Sequence, residues 1–377
     1  MERLDRRYPE LDGLRGIAIF MVMAFHFLLV PRWLHVPLLE NSGILVTIIS
    51  HMIHVGWIGV DLFFILSGFL ITRILIHTKD KKSYFKNFYA RRALRIFPLY
   101  YLALLVWIYI EDFFPLGVKN GIDEHYLSYL FSYTSNFLIV HKGWSALPMP
   151  LVHFWTLAIE EQYYLIWPIF IHFLNKKSIM ILCFVLFLSS LCVRHVFLTN
   201  ENHLMANIYS FSRLYALIMG SFLALVFHRD FNEKKIAAIG IVSALVIISY
   251  LFLAEDFYFK KVEDLVPVVA VFFVSIVALA SLPGKYNFTR TLKHALQNPF
   301  LVWMGRRSYC FYIVHQFIIV YFVTSGLSIR LMPLVIKNSV FLTFLYYFIF
   351  PFAVTAIIGE ISWNVFESKF LRLKKYF

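Results

Sequence analysis

Apolar residues in this chain come in long runs. Ile179–Leu198, Ile236–Leu253, Leu265–Leu282 and Val340–Ile358 each approach the roughly 20 residues a helix needs to cross a bilayer's hydrocarbon core. Other runs are similar in length but interrupted by charge. Together they predict ten spans, at 13–31, 56–76, 94–111, 152–173, 179–198, 205–227, 236–253, 264–282, 299–324 and 340–363. A short apolar segment near 43–55 precedes the second, and the aromatic, amphipathic stretch 125–140 reads as a re-entrant or interfacial piece. The expected fold is all-α: one polytopic transmembrane domain over 1–377, with about ten transmembrane helices. The connection 112–151, which holds Trp144, Pro148 and Pro150, reads as a structured cap.

Composition agrees. Sixty per cent of the 377 residues are hydrophobic and 15% charged, against roughly 25% charged in a soluble domain; mean hydropathy is +0.72. The net charge of +13 would suggest nucleic acid in a soluble protein. Here the positive-inside rule accounts for it. With the N-terminus inside, the inner tails and loops hold 22 Lys and Arg. The outer loops hold 8: Arg32, Lys119, Lys142, Arg194, Lys260, Lys261, Arg330 and Lys337. Both termini are therefore expected on the cytoplasmic side. Arg3, Arg6 and Arg7 before an apolar stretch resemble a signal peptide, but Asp12 and Arg15 intrude and no small-residue cleavage site follows, so the stretch reads as an uncleaved first helix. Cys183, Cys192 and Cys310 have neither metal-ligand spacing nor an obvious pairing, and read as small buried hydrophobes.

Ionisable groups at membrane depth are costly and usually line a cavity or meet a partner. The first span opens Leu11-Asp12-Gly13-Leu14-Arg15-Gly16 and continues to His26. Eleven residues put Arg15 and His26 on one helix face, about 16 Å apart, so they serve different parts of a long ligand or separate partners. Arg15 is alternatively an anchor paired with Asp12 at i, i+3, and His26 a helix-packing group. The second block, Gly59-Val60-Asp61 through Ser67-Gly68 to Arg73, sets a carboxylate at a depth similar to His26. Such a group can fix an imidazole's tautomer, or form a salt bridge of its own. Gly59, Ser67 and Gly68 permit close helix approach.

The third block, Phe88-Tyr89-Ala90-Arg91-Arg92-Ala93-Leu94-Arg95, closes the most basic inner loop. Arg92 and Arg95 present two guanidiniums to one side, with Arg91 beside them, which suits a phosphate or diphosphate. Topology and anionic-lipid contact is the other reading. The fourth, His153-Phe154-Trp155 through Glu160-Glu161-Gln162, sets two adjacent glutamates in an apolar span. Adjacent residues point about 100° apart. Glu160 shares a heptad face with His153 and Trp167, while Glu161 is free to pair with an arginine such as Arg213. His315 and Arg307 read as packing or snorkelling groups, Glu360 as a capping or paired surface group, and His35, His77, His125, His141, His203 and His228 as loop residues.

These four blocks, in this order, resemble the membrane-bound acyltransferase family 3, the O-acyltransferases of bacterial surface polysaccharides. The resemblance implies a ten-helix protein of the bacterial cytoplasmic (inner) membrane. It implies transfer of an acyl group, commonly acetyl, from cytoplasmic acyl-CoA to a sugar hydroxyl presented outside, as in O-antigen or exopolysaccharide. The family's arginine–histidine element falls on Arg15 and His26, and its Arg-x-x-Arg element on Arg92 and Arg95. Some members carry an extracytoplasmic esterase-like domain, which this chain is expected to lack. Catalysis is thus expected from His26 as general base, with Asp61, Glu160 or Glu161 orienting it or stabilising its charged form. An acyl-enzyme step on His26 stays open. Arg15, Arg91, Arg92 and Arg95 are the expected donor-phosphate ligands. No permanent cofactor, metal or nucleic-acid partner is expected; the partners are acyl-CoA, a lipid-linked or surface glycan and membrane lipids. A transporter, the main rival, predicts broken helices in two related halves, whereas here the polar blocks crowd into the first half. A non-catalytic scaffold is a third reading.

Overall fold

The computed structural model describes residues 8–33, 55–113, 125–227, 230–253, 264–331 and 340–377, and their regular structure is entirely helical. Ten of the described helices have sixteen or more residues: α1 Pro9–Trp33, α2 Gly59–Thr78, α3 Tyr84–Ile110, α4 Trp155–Phe173, α5 Lys176–Thr199, α6 Ser210–Val226, α7 Glu233–Leu253, α8 Val266–Ser281, α9 Pro299–Thr324 and α10 Val340–Ser362. Six helical stretches are long and apolar enough to cross a membrane: Pro9–Leu28, Val55–Thr78, Tyr84–Phe113, Lys176–Thr199, His203–Val226 and Leu345–Tyr376. The fold is that of an integral membrane protein. The apolar segment expected near 43–55, all but its last residue, lies outside the described residues. So do Arg3, Arg6, Arg7, His35, Lys119, His228, Lys260, Lys261 and Lys337.

Several boundaries differ from the sequence reading, for physical reasons. α3 begins ten residues before the expected span. Arg91, Arg92 and Arg95 therefore ride on a helix, because Lys, Ala, Leu and Arg are good helix formers and long basic side chains reach past the apolar zone. The expected span 205–227 is broken. Asn202 caps a short helix, His203–Ile208, by accepting from the Met205 N–H at 3.1 Å, and Tyr209 is extended before α6 starts. Arg194 is buried within α5, its guanidinium bonded to Asn207 Oδ1 at 3.1 Å and to the Ala206 carbonyl. It satisfies the broken segment instead of marking an outer loop. His77, His141 and His203 lie in helices, the first two exposed. Cys192 is exposed, while Cys183 and Cys310 are buried as expected. The segment 125–142 forms two short helices, Tyr126–Phe131 and Ser135–Lys142. A 3₁₀ turn at Met149–Phe154 follows Pro148 and has Pro150 as its second residue.

The chain forms two compact units. The first comprises 1–18, 58–84 and 159–306. Between membrane helices the driving force is close packing and hydrogen bonding, not burial from water. Small residues set the crossings accordingly. A Cβ on Gly68 would lie 2.0 Å from the Leu217 carbonyl oxygen of α6, and one on Gly220 equally close to Ile65 of α2. The first turns of α1 meet the first turns of α9 in the same way. A Cβ on Gly305 would sit 1.7 Å from the Asp12 carbonyl oxygen. Polar side chains bind α4 to its neighbours: Trp167 Nε1 donates to Thr72 Oγ1 at 2.8 Å, Tyr163 meets Ser221 at 2.6 Å, and Tyr164 meets Ser67.

The second unit comprises 19–57, 85–158 and 307–377. Its interior is aromatic. Tyr100 is stacked on Tyr133 at 4.2 Å between centroids and packs on Phe154 at 5.1 Å. Trp107 is fully buried and donates to the Tyr126 hydroxyl at 3.0 Å. α10 runs into a single π-helical turn at Trp363–Glu367.

Candidate active site

Three histidines from distant parts of the chain converge in the second unit. His26 comes from α1, His153 from the 3₁₀ turn before α4, and His315 from α9. The ring of His315 lies 5.0 Å from that of His26 and 4.9 Å from that of His153, between centroids. His153 and His315 are buried, and His26 is partly exposed.

Carbonyl oxygens accept only, so the hydrogen-bond partners fix the tautomers of neutral rings. His315 Nδ1 lies 2.7 Å from the Tyr312 carbonyl oxygen and must donate to it. Its Nε2 then carries a lone pair. His26 Nδ1 lies 2.9 Å from the Val22 carbonyl oxygen and 3.2 Å from His315 Nε2, so its N–H is shared between two acceptors. The remaining nitrogen of His26, Nε2, is therefore the basic one. His153 faces an oxygen at each ring nitrogen: Nε2 lies 2.8 Å from the same Tyr312 carbonyl oxygen, and Nδ1 lies 3.1 Å from Gln316 Oε1. The Tyr312 hydroxyl closes the group by donating to the His153 carbonyl at 3.0 Å. Both nitrogens of His153 thus face protein atoms, whereas His26 Nε2 has no hydrogen-bond partner among the described residues.

Several of the other residues singled out in the sequence, Asp61, Glu160, Glu161 and Arg15, lie in the first unit. There Asp61, 1% exposed, receives Arg213 Nη2 at 3.2 Å on Oδ1, and the Tyr215 hydroxyl on the same oxygen. Arg213 Nη1 also donates to that hydroxyl at 3.2 Å. Asp61 Oδ2 is buried without a hydrogen-bond partner among the described residues. Arg15 pairs with Asp12 at 2.9 Å, and Arg306 approaches the same carboxylate at 3.6 Å. Glu160 and Glu161 are partly buried on the first turns of α4, and Gln162 accepts from the Ser210 hydroxyl at 2.6 Å. The heptad face expected for His153 and Glu160 is not continuous, because His153 sits in the 3₁₀ turn and not in α4.

Arg91, Arg92 and Arg95 lie on consecutive turns of α3 in the second unit. Arg91 is exposed and donates from Nε to the Phe377 carbonyl at 3.0 Å. Arg95 feels the charge of Glu367, as does Arg307. Arg307 is gripped by Glu360, with Nη2 to Oε1 at 2.8 Å, and its guanidinium lies 5.6 Å from the centre of the Trp363 ring. Glu360, read from sequence as a capping or paired group, is paired, and its partner is Arg307.

His315 and Gln316 were missed as site residues. Their signal was a histidine–glutamine pair inside an otherwise apolar run of α9, which in a membrane helix points to a partner. One sequence does not say that the partner lies 289 residues away.

The model of the acyltransferase 3 family, described as an acyltransferase domain, matches residues 8–360. A relative from Listeria monocytogenes, peptidoglycan O-acetyltransferase OatA, is 32% identical over 84% of this chain and 50% of its own length. The O-acetyltransferase OatA of Staphylococcus aureus is 28% identical over 97% of this chain and 58% of its own length. The chain thus spans about half the length of the curated relatives it matches. No solved structure matches it.

Proposed function

The chain belongs to the acyltransferase 3 family, as its four ordered blocks lead one to expect, and on that premise we propose that it is a membrane O-acetyltransferase of a cell-surface glycan. The donor is acetyl-CoA, or another acyl-CoA, bound from the cytoplasm as a substrate. The acceptor is a sugar hydroxyl of the cell wall. Relatives named as O-acetyltransferases, one of them of peptidoglycan, favour that acceptor over O-antigen or exopolysaccharide. The chain acts as one transmembrane domain over 1–377, crossing the bacterial cytoplasmic membrane ten times with both termini inside. The Lys and Arg asymmetry supports this orientation: removing buried Arg194 from the outer loops leaves 22 basic residues against 7.

The observation that carries the reading is His26 Nε2, which has no hydrogen-bond partner among the described residues. A neutral imidazole with Nδ1–H held by the protein and Nε2 unprotonated is the tautomer a general base needs. In the reaction, His26 Nε2 takes the proton of the sugar hydroxyl as its oxygen attacks the thioester carbonyl. The C–O bond forms, the C–S bond breaks, and the thiolate leaves and is reprotonated as free coenzyme A. Arg91, Arg92, Arg95 and Arg15 supply cationic groups for the coenzyme's phosphates. Glu160 and Glu161 are proposed to stabilise the charged imidazole or orient the acceptor. For Asp61, the bond to Arg213 favours a helix-locking role.

The test is transfer of labelled acetyl groups by the purified protein in proteoliposomes, with and without peptidoglycan fragments or an O-antigen-type polysaccharide. His26→Ala should lose about a hundred- to ten-thousand-fold in rate, the usual contribution of a positioned base. A folded His26→Ala protein with normal turnover would remove the base assignment. Failure of the wild type with every glycan and any acyl-CoA would remove the enzyme reading.

A further inference from the structure

We infer that His315 is a positioning residue for the transfer reaction: it holds His26 in its working tautomer by accepting the His26 Nδ1–H. This inference rests on the reading of His26 as base. Carboxylates commonly serve such a role, and the sequence pointed to Asp61 or Glu160. The group that faces His26 Nδ1 is instead a second imidazole, with Nε2 at 3.2 Å.

His315 can act only as an acceptor there, because its own Nδ1–H is committed to the Tyr312 carbonyl at 2.7 Å. It is fully buried, so water does not compete for its lone pair. His153 meets the same carbonyl with Nε2 at 2.8 Å, and its Nδ1 lies 3.1 Å from Gln316 Oε1. The order runs from His153 through Tyr312 to His315 and on to His26. Each link removes a rotational or tautomeric freedom from the next. Were His26 to flip to the Nε2–H tautomer, its Nδ1 lone pair would face the Val22 carbonyl at 2.9 Å and the His315 lone pair at once. That arrangement is repulsive. When His26 takes a proton at Nε2, its Nδ1–H becomes a stronger donor and the bond to His315 tightens. The neutral acceptor therefore helps in the protonated state as well as fixing the resting one.

Amide substitutions separate this role from simple packing. In His315→Gln, the side-chain oxygen can reach the place of Nε2 and accept from His26. In His315→Asn, the shorter amide can reach the place of Nδ1 and keep the Tyr312 bond, but offers nothing to His26. Acetyl transfer by the full chain in proteoliposomes, with acetyl-CoA and soluble peptidoglycan fragments, should rank Gln far above Asn and Leu at this position. The Gln variant should stay within a few-fold of wild type, and the other two should lose about ten- to a hundred-fold in kcat, with KM little changed, as expected for orienting groups. Asn equal to or better than Gln would overturn the inference and make His315 a structural brace. His26→Ala, assayed in parallel, tests the base reading separately: if it is active, that reading fails; if it is dead while every His315 variant is fully active, only the positioning role fails. Should the His315 variants not fold, ¹⁵N-histidine labelling of the wild type decides, the His26 signal being assigned by its loss in His26→Ala. Protonated Nδ1 with unprotonated Nε2 supports the inference, and the reverse overturns it.

Discussion

At the scale of single residues, the polar groups inside the helices divide by what satisfies them. His26 keeps one nitrogen unbonded among the described residues. Asp61 does not have that freedom on Oδ1, which holds Arg213 and Tyr215. Removing one partner of a buried ion pair strands the other charge and costs about 3–5 kcal/mol. Asp61→Asn should therefore lower the thermal midpoint in detergent sharply, and Asp61→Asn with Arg213→Gln should recover much of the loss. A stable double variant that still transfers acetyl groups would make the pair structural; a stable but inactive one would return Asp61 to the chemistry. Much of the candidate site was legible here. A histidine, an aspartate and arginines interrupting apolar runs are visible without coordinates, because the membrane makes each of them expensive. Which of them meet was not legible. The pairs His26–His315, Asp61–Arg213 and Arg307–Glu360 join residues 289, 152 and 53 positions apart, and charge or spacing along one chain does not choose among such partners.

At the scale of elements, glycine and helix termini carry most of the specification. The long apolar runs foretold where helices fall, since hydrocarbon forces a spanning backbone to bond internally. Their ends were misjudged where charge was taken for loop, as on α3, and where a polar cap broke a run, as before α6. The two glycines of Asp12-Gly13-Leu14-Arg15-Gly16 have a packing reason, since a Cβ on either would lie within about 2 Å of a carbonyl oxygen of Leu296 or Leu301. Gly305→Ala forces the same crossing apart and should cost about 1–3 kcal/mol or more. Gly240→Ala, whose nearest neighbour would be the Ser275 Cβ at 3.3 Å, should be far milder. Equal melting points for the two would contradict the close-crossing account. The turn before the short helix Asn287–Leu296 is held by Glu233, which accepts from the backbone N–H of Gly284 at 3.1 Å and of Lys285 at 2.9 Å. Burial opposes its ionisation, but the backbone N–H groups of Lys285, Tyr286 and Gly284 outweigh it and hold the carboxyl below its ordinary range. A depressed folded pKa adds stability above the unfolded value, and that stability fades as pH falls through the folded one. Glu233→Gln should thus melt below wild type at neutral pH and match it in strong acid. A difference that grows on acidification would reverse the sign.

At the scale of the whole molecule, the charge asymmetry makes a claim about sidedness that no single site makes. On the proposed orientation, twenty-two basic residues on one side put the termini and the α3 arginines in the cytoplasm, and the donor must enter there. Acetyl-CoA is charged and does not cross a bilayer unaided. In proteoliposomes holding the protein in both orientations, only molecules whose cytoplasmic face is accessible should use external acetyl-CoA. Cleaving a C-terminal tag with an impermeant protease reports the fraction so oriented. Rate should scale with that fraction across preparations, and donor trapped in the lumen should be used only by the remainder. Neutralising Arg92 and Arg95 together should raise KM for the donor with a smaller change in kcat, because phosphate contacts distant from the reacting bond bind ground and transition states alike. A rate independent of orientation would refute the cytoplasmic entry of the donor. A double variant with unchanged KM would instead leave the sidedness intact and move the phosphate site away from α3.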